Sequence, residues 1–304
     1  MKNPLINRRD AMKLGIGALA AASTATTLNA APAEPKKRTI KKAVIIDMVR
    51  GGKTLKDKFE ILKEAGFDGV EMNYPGGPPT DEVRKACEQT GLLIEGIIDT
   101  VHWKQTLGDA DPGVRKAGVD ALLSALRTCK EIGGTSVLLV PGVVNSKISY
   151  DQCYERSQAE IRKALPLAKE LGIKIAVEDV WNDFLLSPLE AARYVDEFND
   201  PEAIGWHMDI GNVMAYGYPE QWVHVLGKRI VKLHVKEFSR KKMNEEGKGK
   251  GFNVKLGDGD INWKAVMREL DAIPYTTWMC AEVPGGDIDV LKDIAQRMDR
   301  ILAL

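Results

Sequence analysis

"ELGIKIAVEDV", residues 170–180, holds the end of a helix and the whole of a strand in eleven residues. Gly172 stops an amphipathic run, because a residue without Cβ enters the left-handed conformation that closes many helices. The β-branched stretch from Ile173 then reads as a strand. The same punctuation recurs at "EAGFDG" (64–69) and "EIGGTS" (131–136), so the unit repeats. Working outward gives strands at "KAVIIDMV" (42–49), "GVEMNY" (69–74), "LIEGIID" (93–99) and "SVLLVPG" (136–142). Four more lie at "KIAVEDV" (174–180), "IGWHMDIGN" (204–212), "IVKLHVKEF" (230–238) and "TWMCAEVPG" (277–285). Helical patterns fill the intervals, among them 55–65, 114–132, 151–171 and 261–270. Eight βα units in about 270 residues match a single closed (β/α)8 TIM barrel over 34–304, a fold that typically takes about 250 residues. A doubly wound open sheet is the competing arrangement, but no G-x-G-x-x-G follows the first strand.

The 304 residues are 44% hydrophobic and 28% charged, a soluble globular composition. Lys plus Arg equals Asp plus Glu at 43 each, so no global positive field holds a nucleic acid. Residues 1–33 have the parts of an export signal: Arg8 and Arg9, an apolar run from Leu14, and Ala31-Pro32-Ala33 for cleavage. The paired arginines with Lys13 resemble a twin-arginine signal, which implies a periplasmic or otherwise exported protein that carries its cofactor out folded. The apolar run is shorter than the roughly 20 residues of a spanning helix, so no membrane insertion is expected once the signal is removed. Cys87, Cys129, Cys153 and Cys280 form no CxxC pair and read as buried or incidental thiols.

In such a barrel, side chains at the strands' C-terminal ends converge on one mouth. The last four strands each end near an ionisable group set among apolar residues: Glu178, Asp209, His234 and Glu282. Neighbouring strands lie about 4.8 Å apart, which gathers these groups. Three carboxylates crowded in a low-dielectric pocket take up protons unless a positive charge sits among them. A divalent cation meets that need, and three oxygens with one imidazole suit Mn²⁺, Mg²⁺ or Co²⁺, with Zn²⁺ also admissible. Lys236, two residues after His234, shares its inward face and reads as a holder of a substrate oxygen. His207, one level below Asp209, suits a partner that orients a ligand. Glu71, at the end of the second strand, and His102 and Trp103, after the third, also read as facing the mouth. The charged, Gly-rich stretch 239–260 reads as a solvated loop, with a lid over the mouth as the alternative.

The chain resembles the xylose isomerase-like sugar isomerases and epimerases, which include hydroxypyruvate isomerases and ketose 3-epimerases. The likeness runs from "EAGFDGVEMNYP" through "VEDVWNDFLLSP", "HMDIGNV", "LHVKEF" and "LGDGDINW" to "AEVPGG". It implies that Glu178, Asp209, His234 and Glu282 hold one divalent metal and that the two glutamates also act as acid and base. Ketose 3-epimerases carry a sugar-contacting Glu where this chain has Phe184 and a His where it has Asn212, which argues against a free-ketose 3-epimerase. An Arg six residues after the metal-binding His, here Arg240, is kept, and the resemblance implies that it contacts the substrate. The expected partner is a small sugar or keto-sugar. The expected reaction removes a proton beside a carbonyl, passes through an enediolate, and returns a proton at a neighbouring carbon or on the other face. Competing readings are a keto-glycoside lyase working by β-elimination, an abasic-site-type endonuclease that needs more histidines than the four present, and a non-catalytic sugar-binding protein. A homo-oligomer is compatible with the sequence.

Overall fold

The computed structural model describes residues 38–304 apart from Pro274. The signal-like segment 1–33 lies outside the described residues. Eight strands alternate with helices: β1 (Lys41–Ile45), β2 (Gly69–Tyr74), β3 (Leu93–Asp99), β4 (Ser136–Leu139), β5 (Lys174–Val177), β6 (Ile204–Asp209), β7 (Ile230–Val235) and β8 (Trp278–Ala281). They pair in parallel in chain order, and β8 pairs with β1, so the sheet closes into the expected barrel. The ring of helices is α1 (Leu55–Ala65), α2 (Thr80–Thr90), α3 (Pro112–Glu131), α4 (Tyr150–Arg162), α5 (Leu165–Leu171) and α6 (Pro188–Asp196). It continues with α7 (Ile210–Met214), α8 (Pro219–Leu226), α9 (Arg240–Glu246), α10 (Trp263–Ala272) and α11 (Ile288–Leu302).

The local signals act as the chemistry requires. Gly66, Gly91 and Gly172 close α1, α2 and α5 with φ of 94°, 68° and 66°. Thr54 and Asp57 form a capping box at the start of α1, and Asp111, Ser187 and Asp287 cap α3, α6 and α11. Three expectations are corrected. The helical run 151–171 is two helices, α4 and α5, because Pro166 has no N–H to give and its ring opposes the carbonyl of Arg162. The sixth strand stops at Asp209, whose carboxylate accepts the Asn212 N–H at 2.8 Å and starts α7.

The third correction concerns 239–260, which is built rather than a loose solvated loop. It contains α9 and a 3-10 turn, Lys248–Phe252, and its root is fixed by the buried Glu237. That carboxylate accepts the Gly257 N–H at 2.7 Å, the Trp263 indole N–H at 2.8 Å, the Phe238 N–H at 3.2 Å and the Ile261 N–H at 3.3 Å. Charge composition alone concealed this, because the apolar contacts of the segment come from a few residues: Phe252 against Phe238 and Trp181, with Leu256 and Met243 packed on the core.

Alternation along β7 and into the residue after its end sends Lys232, His234 and Lys236 toward the barrel axis at three levels. The lowest level is a buried ion pair, with Lys232 Nζ 3.0 Å from Glu95 Oε1 and also donating to the Glu95 carbonyl at 2.7 Å. A cavity of about 990 Å³ opens at the strands' N-terminal ends and is lined in part by Lys41, Lys174, Arg229 and Trp278. Two of its cations are engaged: Arg229 pairs with Asp196 and Lys174 donates to the Pro201 carbonyl.

Candidate active site

Glu178 and Glu282 follow β5 and β8 directly, and each extends its ladder through its own N–H, to Leu139 O at 3.0 Å and Val235 O at 3.1 Å. Asp209 closes β6 opposite His234 on β7. The sheet therefore fixes the four backbones before any ligand is present. His234 Nδ1 lies 3.2 Å from Glu282 Oε2 and 4.0 Å from Glu178 Oε1. Lys236 Nζ lies 2.9 Å from Asp209 Oδ2 and 2.7 Å from Glu282 Oε2. Three triads share His234: Asp209, His234 and Glu282 offer ligand atoms within 4.8 Å of one another, and so do Glu178, His207 and His234, and Glu71, His234 and Cys280.

Glu71 reaches this cluster from beneath. It is the third of six residues in β2 rather than its end, so its carboxylate meets the far side of the imidazole, 2.7 Å from His234 Nε2. A carboxylate only accepts, so Nε2 carries a proton toward Glu71, and Nδ1 faces the acids, where it can ligate an ion once its own proton has left. This is the bond by which proteins orient a ligating histidine. Glu71 thus faces the imidazole rather than the mouth, a correction to its reading as a substrate contact.

The charges are unequal. Burial pushes the Glu178 carboxyl well above the ordinary range, and the Asp209 carboxyl is raised for the same reason. At Glu282 burial works the same way but is outweighed by His234 and Lys236, which hold the carboxyl well below that range. Burial disfavours charge on His234, yet Glu71, Cys280 and Glu282 raise it well above the usual value. One glutamate is therefore biased toward the acid form and the other toward the base form.

The residues fit a divalent ion. The buried Glu178 Oε1 lacks a hydrogen-bond partner among the described residues, and Asp209 Oδ2 and His234 Nδ1 are met by charged groups, Lys236 Nζ at 2.9 Å and Glu282 Oε2 at 3.2 Å. Buried polar atoms are rarely left unpartnered. The hard, oxygen-rich donor set suits Mn²⁺, Mg²⁺ or Co²⁺.

The remaining expected residues separate. His207 packs edge-on to His234 with ring centroids 4.1 Å apart; both its nitrogens lack partners, and burial holds it well below its usual value, hence neutral. His102 is buried and accepts the Val140 N–H at 3.2 Å on Nδ1, with burial lowering its pKa to about 4. Trp103 is 47% exposed and meets His102 edge-on. Arg240 is turned aside: it donates to the carbonyls of Met214 at 3.0 Å and Gly217 at 2.5 Å and lies 4.6 Å over Tyr218. Its reading as a substrate contact is corrected to a brace between the segments after β6 and β7. Phe184 faces the helix layer, fully buried among Tyr150, Tyr154 and Tyr194. Asn212 is buried with Nδ2 unpartnered, while its carbonyl accepts the Trp181 indole N–H at 3.0 Å.

Sequence reasoning missed a strained wall beside Glu178. Among the described residues four non-glycines take left-handed backbone, and three of them, Trp181, Asp183 and Leu185, lie in the loop after β5. Such strain costs of order 1–3 kcal/mol per residue and persists only where the surroundings impose it. Here Asn182 donates to Gly142 O at 2.7 Å and accepts the Val180 N–H at 3.1 Å, and the Leu185 N–H donates to the Tyr150 hydroxyl at 2.8 Å. The result presents Trp181 to Phe252, stacked at 5.2 Å, with Lys248 Nζ 4.2 Å from the indole. Next to it Asp179, its carboxyl pushed up to about 7 by burial, accepts the Tyr216 hydroxyl at 2.5 Å. Aromatic residues so far apart in sequence gave no signal of their pairing.

Comparison with known proteins supports the same architecture. The chain is similar to the L-ribulose-5-phosphate 3-epimerase UlaE of Escherichia coli O1:K1, 23% identical over 262 residues that cover 78% of this chain and 87% of that protein. Among solved structures it is similar to a D-tagatose 3-epimerase-like protein, with a TM-score of 0.72 and 19% identity over 86% of this chain and 98% of that one. The 3-keto-D-glucoside 4-epimerase YcjR of E. coli superposes with a TM-score of 0.71 and 17% identity, again over 86% and 98%. Residues 59–303 match the model of one family, so the closed barrel with its acidic, histidine-bearing mouth belongs to the xylose isomerase-like TIM barrel family.

Proposed function

We propose that this protein is a divalent-metal-dependent isomerase or epimerase of a sugar or keto-sugar. The observation that carries the reading is the gathering of Glu178, Asp209 and Glu282 around His234, with the buried Glu178 Oε1 lacking a hydrogen-bond partner among the described residues. Epimerase relatives that match along most of the chain support it. A bound ion supplies Lewis-acid polarisation of a substrate carbonyl and its neighbouring hydroxyl. Glu178 and Glu282, which follow β5 and β8, supply the acid–base pair: one removes the proton from the carbon beside the carbonyl and the other returns a proton at a neighbouring carbon or on the opposite face. Trp181 and Phe252 give the Glu178 side an apolar wall, which suits the C–H face of a sugar and limits water. We place this activity outside the cytoplasm, on the reading of residues 1–33 as an export signal.

The test is incubation in D₂O with Mn²⁺ and a panel of free, phosphorylated and glycosidic keto-sugars. A substrate should gain deuterium beside its carbonyl, and Glu178→Gln and Glu282→Gln should each lower turnover by roughly 10²–10⁴-fold. Release of an unsaturated sugar would instead assign the protein to β-elimination. Tight sugar binding with neither label nor turnover would make it a binding protein.

A further inference from the structure

We propose that Lys236 is a displaceable internal counter-ion, whose ammonium occupies the carboxylates of Asp209 and Glu282 in the metal-free protein and exchanges with the divalent ion when it binds. This rests on the metal-dependent reading above. Nζ bridges Asp209 Oδ2 at 2.9 Å and Glu282 Oε2 at 2.7 Å, two oxygens the ion also needs. Asp209 has no second choice: its side chain is fully buried, and Oδ1 is committed to the Asn212 N–H that begins α7.

The lysine is seated rather than trailing. A Cβ on Gly211 would lie 2.3 Å from Lys236 Cγ and 2.8 Å from the Lys236 carbonyl oxygen, so the missing side chain makes room for the lysine stem. The Phe252 ring centroid lies 5.2 Å from Nζ and bounds its other side. Two cations sharing one carboxylate oxygen would lie within roughly 5 Å of each other, in a pocket with little water to screen them. Occupancy is therefore exclusive. The level below is filled by His234, whereas the Glu282 side chain is 40% exposed, so the ammonium leaves toward the mouth. The exchange keeps the acids in position without metal and sets the metal affinity below that of the bare ligands.

Calorimetric titration of the chelator-treated protein with Mn²⁺ tests this. Lys236→Met should bind Mn²⁺ roughly tenfold more tightly or better, once the competing charge is gone. Its metal-free form should melt below metal-free wild type. Equal or weaker binding by the variant overturns the exchange. A measurement on wild type covers the case in which the variant does not fold: reductive methylation by formaldehyde, mapped by mass spectrometry, with chelator or with saturating Mg²⁺. Lys236 should be slow to react in chelator and faster with metal; an unchanged or slower rate overturns the proposal. If wild type neither takes up heat with Mn²⁺ nor changes its reactivity with Mg²⁺, the metal-dependent function itself fails. If metal binds but the lysine is indifferent to it, only the exchange fails.

Discussion

Two lysines, Lys232 on β7 and Lys236 just past its end, sit at opposite ends of the barrel interior and meet different company. Lys232 faces a single acid, Glu95, and the pair is sealed, with side chains 1% and 0% exposed. Lys236 faces Asp209 and Glu282, with Glu178 nearby, and its pocket opens to solvent through Glu282. Below, one cation answers one acid, and the pair is closed to solvent. Above, three acids, Glu178, Asp209 and Glu282, share Lys236 and His234. Burial alone therefore does not mark a functional charge; an unbalanced cluster that opens on a mouth does.

The largest effect expected from this contrast is on stability. Lys232→Met strands Glu95 in the core, and at pH 8 it should cost about 3–5 kcal/mol, a fall in melting temperature of roughly 10 °C. Adding Glu95→Gln should restore most of that, whereas Glu178→Gln should shift stability by less than about 1 kcal/mol. Thermal denaturation of the three variants checks this, and similar melting temperatures for Lys232→Met and Glu178→Gln would break the distinction.

Glu71 joins the two levels, bonded to His234 above and adding its charge to the field at Glu95 below. Glu71→Gln keeps an acceptor but loses the charge, and Mn²⁺ affinity should fall roughly 10–100-fold with the fold intact. Calorimetry reads the affinity, and circular dichroism reads the fold.

The smallest effect is a pH slope. Burial pushes the Glu95 carboxyl from 4.5 to about 7, with Lys232 opposing. Below 4.5 the group is protonated both folded and unfolded. As pH rises from there, the unfolded chain loses the proton first, so this group's contribution to stability declines until about pH 7 and is flat above it. Wild type should therefore lose stability relative to Glu95→Gln across that window. A difference that is constant with pH would remove Glu95 as its source.

Much of the barrel was legible because helix-closing glycines and β-branched runs are local signals, and Gly66 and Gly172 adopt the conformations they announce. Strand ends were less so. "HMDIGN" continues the apolar pattern past Asp209, and only the carboxylate's acceptance of the Asn212 N–H turns the chain into α7. At the site, two-residue alternation put Asp209, His234 and Glu282 on the axis but could not say how deep each side chain reaches. Glu71 and His234 are 163 residues apart, and Lys232 and Glu95 are 137. The barrel's closure sets those meetings, not any spacing in the chain. Arg240 shows the converse: its distance from His234 was right for a substrate contact, but the Met214 and Gly217 carbonyls claim the guanidinium first.

Glu237, three residues from His234, holds the arch over the mouth by four N–H groups and never faces the reacting carbons. In a survey of random variants it would score beside the metal ligands, since no neutral side chain meets so many donors at once, and the arch bearing Phe252 would come loose from Trp181. Intolerance to change at this position therefore records upkeep of the roof, and a lineage is free to trade one substrate for another while Glu237 stays the same.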